Sequence, residues 1–491
     1  MELPNTSGSF DPGYLAASGS RDVYKVLCHV GCSSTGTANL LTKCNSNSLI
    51  ESSFGLGPLV RVGKNALAKL RVPQLLCKAA TAVAGSCGLT RYAASSTASE
   101  SATPEDIGTV VFSGAALDDF ELLWKFTVGG VIGGDARGRL SLDNGSTWLD
   151  EVAVSGATIV NALSGVTLTF SDDAGDFPVG TYWRCRTVAP AMSVAGMSAA
   201  LDALSTQMVE RFGMVVVHQG WNTDDLAEAL EAAEDAAQDG PAKLNLYSCF
   251  LSFRRQDVTG EDGFGTAGAP ETDAQYETSA VGLEYAGGLR VLKSHGEFRT
   301  QDLVHGLKPR RLKLENEMYR FVASDYKQEL MDTDLGPIED VLTSYSTEEI
   351  GGSLYPRQWL VTRQHPGYVG HYLAGGLMST PPDNKMKYIY VRRIADLIEE
   401  RLRRYAVHVY GKFAAALATG GLTTDAQRFW SGEFYKSAMS LIDGNVLLGI
   451  VVTVADSTTN DSTVQMVVGW DFTVALPVGS VTLNGSFSIG Q

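Results

Sequence analysis

No stretch of this 491-residue chain approaches the ~20 uninterrupted apolar residues that a membrane-spanning helix requires, so no membrane insertion is expected. Basic side chains are in deficit: 39 Lys and Arg stand against 55 Asp and Glu, a formal charge of -16. Binding along a nucleic acid needs net basic surface, so no direct nucleic-acid contact is expected either. Only seven cysteines occur, at 28, 32, 44, 77, 87, 185 and 249, with no C-x-x-C pair and one left over in any full pairing. Several lie in apolar, strand-like runs, which predicts reduced, buried thiols and synthesis in a cytoplasm. Cys28, His29 and Cys32 lack zinc-finger spacing. The segment from Met1 to Gly8 has no basic region followed by an apolar one, so no secretory signal is expected.

Catalytic signatures are scarce as well. There is no Walker loop, no His-Glu-x-x-His, no Ca²⁺-loop pattern and no Gly-x-Ser-x-Gly elbow. Gly263-Phe264-Gly265-Thr266-Ala267-Gly268 fits the dinucleotide fingerprint, but Thr259-Gly260-Glu261-Asp262 before it is a polar, acidic loop. A strand should feed that turn, and the acids would repel a pyrophosphate. His365 and His371 flank a Gly-rich turn without a nucleophile beside them. No catalytic residue, cofactor or metal is expected from these patterns.

What the chain does have is 44% apolar residues and 9% aromatics, enough for real cores, over a length too great for one. Residues 1–20 are rich in Gly, Ser, Asn and Pro and read as an N-terminal arm. Arg21 to Val30 reads as a strand, and Gly57-Pro58 opens a helix carrying Val62, Ala66, Leu67 and Leu70. Pro73 to Cys77 follows as a second strand, a sequence of elements that implies a parallel sheet.

From Gly108 to Thr187 the pattern alternates in β style, with Asp143-Asn144-Gly145-Ser146 as a hairpin signal. After Pro190 the helix-and-strand rhythm returns: Met197, Leu201, Leu204, Met208 and Phe212 mark one helix, and Met214 to His218 a buried strand. The predicted fold class is therefore α+β and multidomain. An α/β core domain, residues 21–100 and 190–345, is interrupted by an all-β, sandwich-like insertion at 101–189. A C-terminal α+β domain, 346–478, carries a β-hairpin, and 479–491 form an extended terminal arm.

Two helices carry opposite charge. The run from Asp224 to Asp239 holds Glu228, Glu231 and Glu234 among seven acids and no base. The helix from Tyr388 to Lys412 holds Arg401, Arg403 and Arg404, with Val391, Ile394, Ile398, Leu402, Tyr405 and Val409 as its buried stripe. Either the two faces are complementary contacts between copies, or they are unrelated solvated faces.

The last stretch holds three β-patterned runs. Val446 to Val454 and Val464 to Val474 make an antiparallel hairpin with Val451, Val452, Val454, Val467, Val468 and Phe472 as candidate acceptor residues. Hairpin edges must be covered or used. Past Pro477 and Gly479, the strand carrying Val481, Leu483, Phe487 and Ile489 is suited to add to the sheet of another subunit. The alternative is that it folds back as the third strand of its own sheet.

With these parts assembled, the chain resembles the sheath subunits of contractile bacteriophage tails and related contractile injection machines. The resemblance is carried by the strand and loop from Val26 to Gly36, by Phe54-Gly55-Leu56-Gly57-Pro58-Leu59, and by Ser141-Leu142-Asp143-Asn144-Gly145-Ser146-Thr147-Trp148 with Phe177-Pro178-Val179-Gly180-Thr181-Tyr182 in the insertion. Pro366-Gly367-Tyr368-Val369-Gly370, Tyr388-Ile389-Tyr390-Val391-Arg392-Arg393 and the hairpin with its arm complete it. It implies a non-enzymatic subunit, without cofactor, that polymerises as a helical stack of hexameric rings around a tail tube. Arms from neighbours would add strands to each subunit's C-terminal sheet, and contraction would drive the tube through a cell envelope. The implied partners are further copies, the tube protein, and baseplate and tail terminator proteins. The implied place is a virion tail assembled in a host bacterial cytoplasm. The alternatives are another tail or baseplate component that forms a single ring, and an α/β enzyme using the Gly263 loop or His365.

Overall fold

The computed structural model describes residues 26–95, 106–207, 212–221, 223–242, 247–253, 282–283, 288, 290–295, 297–302, 307–313, 330–331, 338–340, 358–363, 371–374, 377–381, 383–409, 422–443, 448–457 and 465–473. They fall into two compact units, one running to Arg392 and one from Arg393 onward.

In the first unit, β1 (Leu27–Gly31) is buried at every position, as a strand covered on both faces must be. The chain continues through β2 (Leu41–Cys44) into α1 (Asn47–Phe54), capped by the Ser46 side chain accepting from the Leu49 N–H. Helix α2 (Pro58–Leu70) starts on a proline, whose missing N–H costs nothing there, and ends where Arg71 turns left-handed at φ 55°. Strand β3 (Gln74–Lys78) then lies parallel to β1, with Cys28 beside Leu75, which is the expected strand–helix–strand unit. Strand β2, not expected from the sequence, adds antiparallel on the far side of β3.

Three short strands lead out of this sheet: β4 (Thr81–Val83), β5 (Ser86–Cys87) and β6 (Arg91–Ala93). The all-β module follows: β7 (Thr109–Gly114), β8 (Glu121–Val128), β9 (Arg137–Ser141), β10 (Val152–Ala153), β11 (Thr158–Asn161), β12 (Val166–Ser171) and β13 (Tyr182–Val188). After β14 (Ala191–Met192) the chain is back in the core. One sheet has the order β10-β9-β8-β13-β5, with β6 also on β13, and the other β11-β12-β7. Between them, Trp124, Phe126, Phe170, Phe177 and Trp183 are buried, with Phe126 stacked on Phe177 at 4.5 Å.

Asn144 and Gly145 both take positive φ, 60° and 88°, as their turn signal predicts. The turn does not make a tight hairpin, however, because β9 meets β10 at only two pairs, Gly138 with Val152 and Arg137 with Ala153. The Asp143 carboxylate instead draws the loop onto itself. It accepts from Ser141 Oγ at 2.8 Å, from the Thr147 N–H at 2.8 Å and from Thr147 Oγ1 at 2.7 Å.

The core resumes with α3 (Val194–Thr206), β15 (Met214–Trp221), α4 (Thr223–Ala242), β16 (Ser248–Phe253) and β17 (Val291–His295). Then come β18 (Glu297–Asp302), β19 (Leu307–Lys313), β20 (Leu330–Met331), β21 (Ile338–Asp340), β22 (Trp359–Arg363) and β23 (His371–Ala374). A nine-stranded sheet has the order β2-β3-β1-β15-β16-β17-β22-β23-β20, parallel from β3 to β22 and antiparallel at both edges. Strands β19, β18 and β21 form a small sheet of their own. On one face of the large sheet, Cys28, Val30, Val215 and Val217 pack with Leu201 and Leu204 of α3 and Leu230 of α4. On the other, Leu27, Val216, Phe250 and Leu292 pack with Ala66 and Leu70 of α2.

The helix expected to reach Phe212 stops at Thr206. Gln207 ends it by turning toward the β2 edge, where its side chain accepts from the Leu41 N–H at 3.0 Å and donates to the Asn39 carbonyl at 2.7 Å. Phe212 is buried instead against Tyr247, 5.2 Å between ring centres.

Helix α5 (Ile389–Val409) begins in the first unit and belongs to the second from Arg393. The second unit continues with α6 (Thr424–Asp443), β24 (Gly449–Ser457) and β25 (Gln465–Thr473). Helix α6 was not expected from the sequence. Thr423 Oγ1 accepts from the Ala426 N–H at 3.2 Å and caps it. Ala426, Trp430, Phe434 and Ala438, four residues apart, form its buried stripe. Tyr405 of α5 meets Phe434 edge-on at 5.0 Å, and its hydroxyl donates to Glu433 at 3.0 Å. The α+β class, with a β module inside an α/β core and a hairpin-bearing C-terminal part, is the architecture of the chain.

Candidate assembly surface

Strands β24 and β25 pair over nine residues, from Gly449 beside Thr473 to Ser457 beside Gln465. Side chains alternate across such a ribbon, which gives its two faces different tasks. Ile450, Val452 and Val454 are buried, and opposite them stand Phe472, Trp470 and Val468, which are only half-buried. The difference arises because α6 packs on β24 and not along β25. Val451 faces the other way and is 63% exposed. Val467 pairs with Ala455.

The two edges of the ribbon are also unlike. The Val454 N–H points away from β25 and donates to Ser431 Oγ of α6 at 2.9 Å. Antiparallel pairing alternates, so Ile450 and Val452 turn their N–H groups to that same side, the side of α6. By the same alternation Val468, Trp470 and Phe472 point theirs out from the far edge. Phe472 N–H is held by the Asp471 carboxylate at 2.9 Å. Among the described residues, no strand lies on the outer edge of β25. The arm residues Val481, Leu483, Phe487 and Ile489 lie outside the described residues, as does the N-terminal arm at 1–20.

The acidic helix needs a correction. Glu228 and Glu231 are exposed, with Asp225 and Asp235, but Glu234 is buried at 7% exposure. Its carboxylate accepts from the Arg290 backbone N–H at 3.1 Å and from Gln238 Nε2 at 2.8 Å. It follows Leu230 by one helical turn and adjoins Ala233, both in the core, so it cannot stand on the outward acidic face. The basic helix is likewise not a bare cationic face. Arg403 is bonded to Glu399 and Arg404 to Glu400, each one turn earlier. Arg401 is half-buried on the same helix. What α5 presents is a ladder of paired charges.

The Gly263 loop and His365 lie outside the described residues, and His371 is in β23. Among the described residues, no group of three or more His, Cys, Asp or Glu is placed to hold a metal. His29 and His218, on neighbouring strands β1 and β15, are buried and joined Nδ1 to Nε2 at 2.9 Å. Burial lowers the His29 pKa from 6.5 to about 4, so that ring is neutral near pH 7 and packs as part of the core.

Ser431, Trp430 and Phe434, which decide which edge of the ribbon is covered, were not singled out from the sequence. The four-residue spacing of Ala426, Trp430, Phe434 and Ala438 behind a Thr cap is the signal that would have found them.

No family model matches the chain, and no curated protein matches it. Several solved structures are similar to it over most of its length. The sheath tail protein from Desulfitobacterium hafniense is 12% identical, with 91% of this chain and 96% of that one covered and a TM-score of 0.42. The sheath tail protein from Listeria innocua is 10% identical, with 91% and 94% covered and a TM-score of 0.44. The helical sheath of the anti-feeding prophage in its contracted state is 12% identical, with 99% of each chain covered and a TM-score of 0.45.

Proposed function

We propose that this chain is the repeating structural subunit of a contractile tail sheath. In this reading, copies stack as hexameric rings around an inner tube, and the stack shortens to drive the tube through a host cell envelope. The observation that carries it is the β24–β25 ribbon, with one edge occupied by its own helix and the other left to receive a strand. The donor is the run carrying Val481, Leu483, Phe487 and Ile489 from a neighbouring copy, added as β-augmentation.

The physical logic suits the task. A heterologous contact that does not close on itself generates a helical stack. Strands exchanged between subunits keep their backbone hydrogen bonds while the attached bodies rotate between two discrete packings. No chemistry on a substrate is required, so the role is structural and not enzymatic. The partners are further copies, the tail tube protein, and baseplate and terminator proteins, in a tail assembled in a bacterial cytoplasm. Glu228 and Glu231 on one copy and Arg401 on another are the charge contacts that remain candidates.

The test is deletion of residues 479–491 followed by electron microscopy of purified protein. The full chain should give tubes, and the truncated chain a folded monomer that gives none. Normal tubes from the truncation would exclude the donor arm. Closed single rings from the full chain would assign it to a baseplate-type component.

A further inference from the structure

The insertion module is held on a two-way stalk. The chain leaves the core through β4, β5 and β6 and returns through β13 and β14, and outgoing and returning strands pair with each other. Val83 stands beside Ala191, Cys87 beside Thr187, and Tyr92 beside Trp183. Two of the seven cysteines lie on this stalk, one on each path.

Side chains two apart on a strand share a face. Cys87 stands opposite Thr187, so it projects on the side that carries Thr187, Cys185 and Trp183. Cys185 is therefore its diagonal neighbour on that side. The two thiols are close enough to influence each other's ionisation. Cys185 Sγ also donates to the Gly88 carbonyl, at 3.4 Å, so it is held beside the residue that follows Cys87. Cys185 is buried while Cys87 is half-buried.

We propose that Cys87 and Cys185 are a redox modification site, a dithiol that closes to a disulfide when it meets a hydroperoxide. Cys87, the accessible sulfur, attacks the terminal peroxide oxygen, the O–O bond breaks, and water leaves with Cys87 as a sulfenic acid. Cys185 sulfur then displaces the sulfenic oxygen, which departs with the Cys185 proton as a second water. Two thiols are oxidised by two electrons and one peroxide is reduced. The product joins the outgoing strand to the returning one at the base of the module.

The other five thiols do not share this setting. Cys28, Cys32, Cys44, Cys77 and Cys249 are buried, and burial raises the pKa of every one of them. Cys87 alone is lowered, through the Cys185 thiol beside it, and a larger thiolate fraction speeds attack on peroxide.

The experiment treats the purified full chain with hydrogen peroxide, blocks remaining thiols with an alkylating agent, and maps peptides by mass spectrometry without reduction. The expected product is one linked peptide pair, Cys87 to Cys185, lighter by two hydrogens and separated again by dithiothreitol. Five cysteines should remain alkylated. Cys87→Ser, at the half-buried position, should fold normally and abolish the link. Cys185→Ala should leave a Cys87 sulfenic acid that dimedone captures; if that core variant does not fold, the wild-type map and Cys87→Ser decide alone. Cys87 oxidised to sulfinic acid with Cys185 still alkylated, or uniform oxidation of all seven, would overturn the proposal.

Discussion

The backbone N–H of Val454 donates to Ser431 Oγ at 2.9 Å, which ties the outer edge of β24 to helix α6. A two-stranded ribbon has two edges at which a third strand could add, and this bond marks one as taken. Proline at Val468 should therefore separate folding from assembly. The N–H it removes points out from β25, a position where an edge strand tolerates proline. Val468→Pro should keep the circular dichroism of the parent and form no tubes. Val454→Pro, which breaks the bond to Ser431, should instead cost stability, about 1–3 kcal/mol by urea titration. Tubes formed by Val468→Pro would mean that β25 is not the acceptor.

Arg61 and Asp118 should fix the module against the core. The guanidinium of α2 meets the carboxylate before β8 with two bonds, 2.7 and 2.9 Å, and the Asp118 side chain is 5% exposed. Charge-assisted bonds of this kind are worth about 1.5–3 kcal/mol. Arg61→Ala should leave both domains folded but raise hydrogen exchange through the stalk strands β5 and β13. Unchanged exchange there would assign the docking to the strand pairing alone.

The elements that were legible share a property: their burial pattern is long enough to carry a period. Strands β24 and β25 read clearly because apolar residues recur along nine paired positions, and β1, β3 and α2 read clearly for a similar reason. Strand β2 has four residues with only its two ends buried, too few to establish an alternation. Helix α6 was hidden by its composition, because Phe429 and Tyr435 put aromatics on its exposed side and Gly432 interrupts it. The charged faces were misread for want of helical phase. Counting acids placed Glu234 with Glu231, whereas its spacing from Leu230 and Ala237 places it inward. Glu399 and Glu400, four residues before Arg403 and Arg404, were visible in the sequence as their partners.

Glu234 yields a prediction that separates charge from acceptor geometry. Glu234→Gln keeps an oxygen for the Arg290 N–H and should cost less than Glu234→Ala, which leaves that buried N–H without its acceptor, a loss of about 1–3 kcal/mol. Thermal unfolding of the two variants measures the difference. Neither should alter assembly beyond the stability loss, whereas Glu228→Lys with Glu231→Lys should impair it if the acidic face meets a neighbouring copy. Loss of tubes in Glu234→Gln at full stability would return that residue to the contact face.

The joined imidazoles of His29 and His218 make stability depend on pH in one window. Burial lowers the His29 pKa from 6.5 to about 4, so the folded chain excludes a proton that the unfolded chain accepts between those values. Above pH 6.5 both states hold His29 neutral, and its contribution is constant. As pH falls through the window, proton uptake by the unfolded state draws the equilibrium toward unfolding. The loss is roughly 3 kcal/mol by the time the folded group also titrates. His29→Asn, which has no such proton to gain, should unfold in urea with a shallower pH dependence between pH 6.5 and 4. Parallel stability curves for the two chains across that window would show that His29 accepts its proton in the folded state as readily as in water.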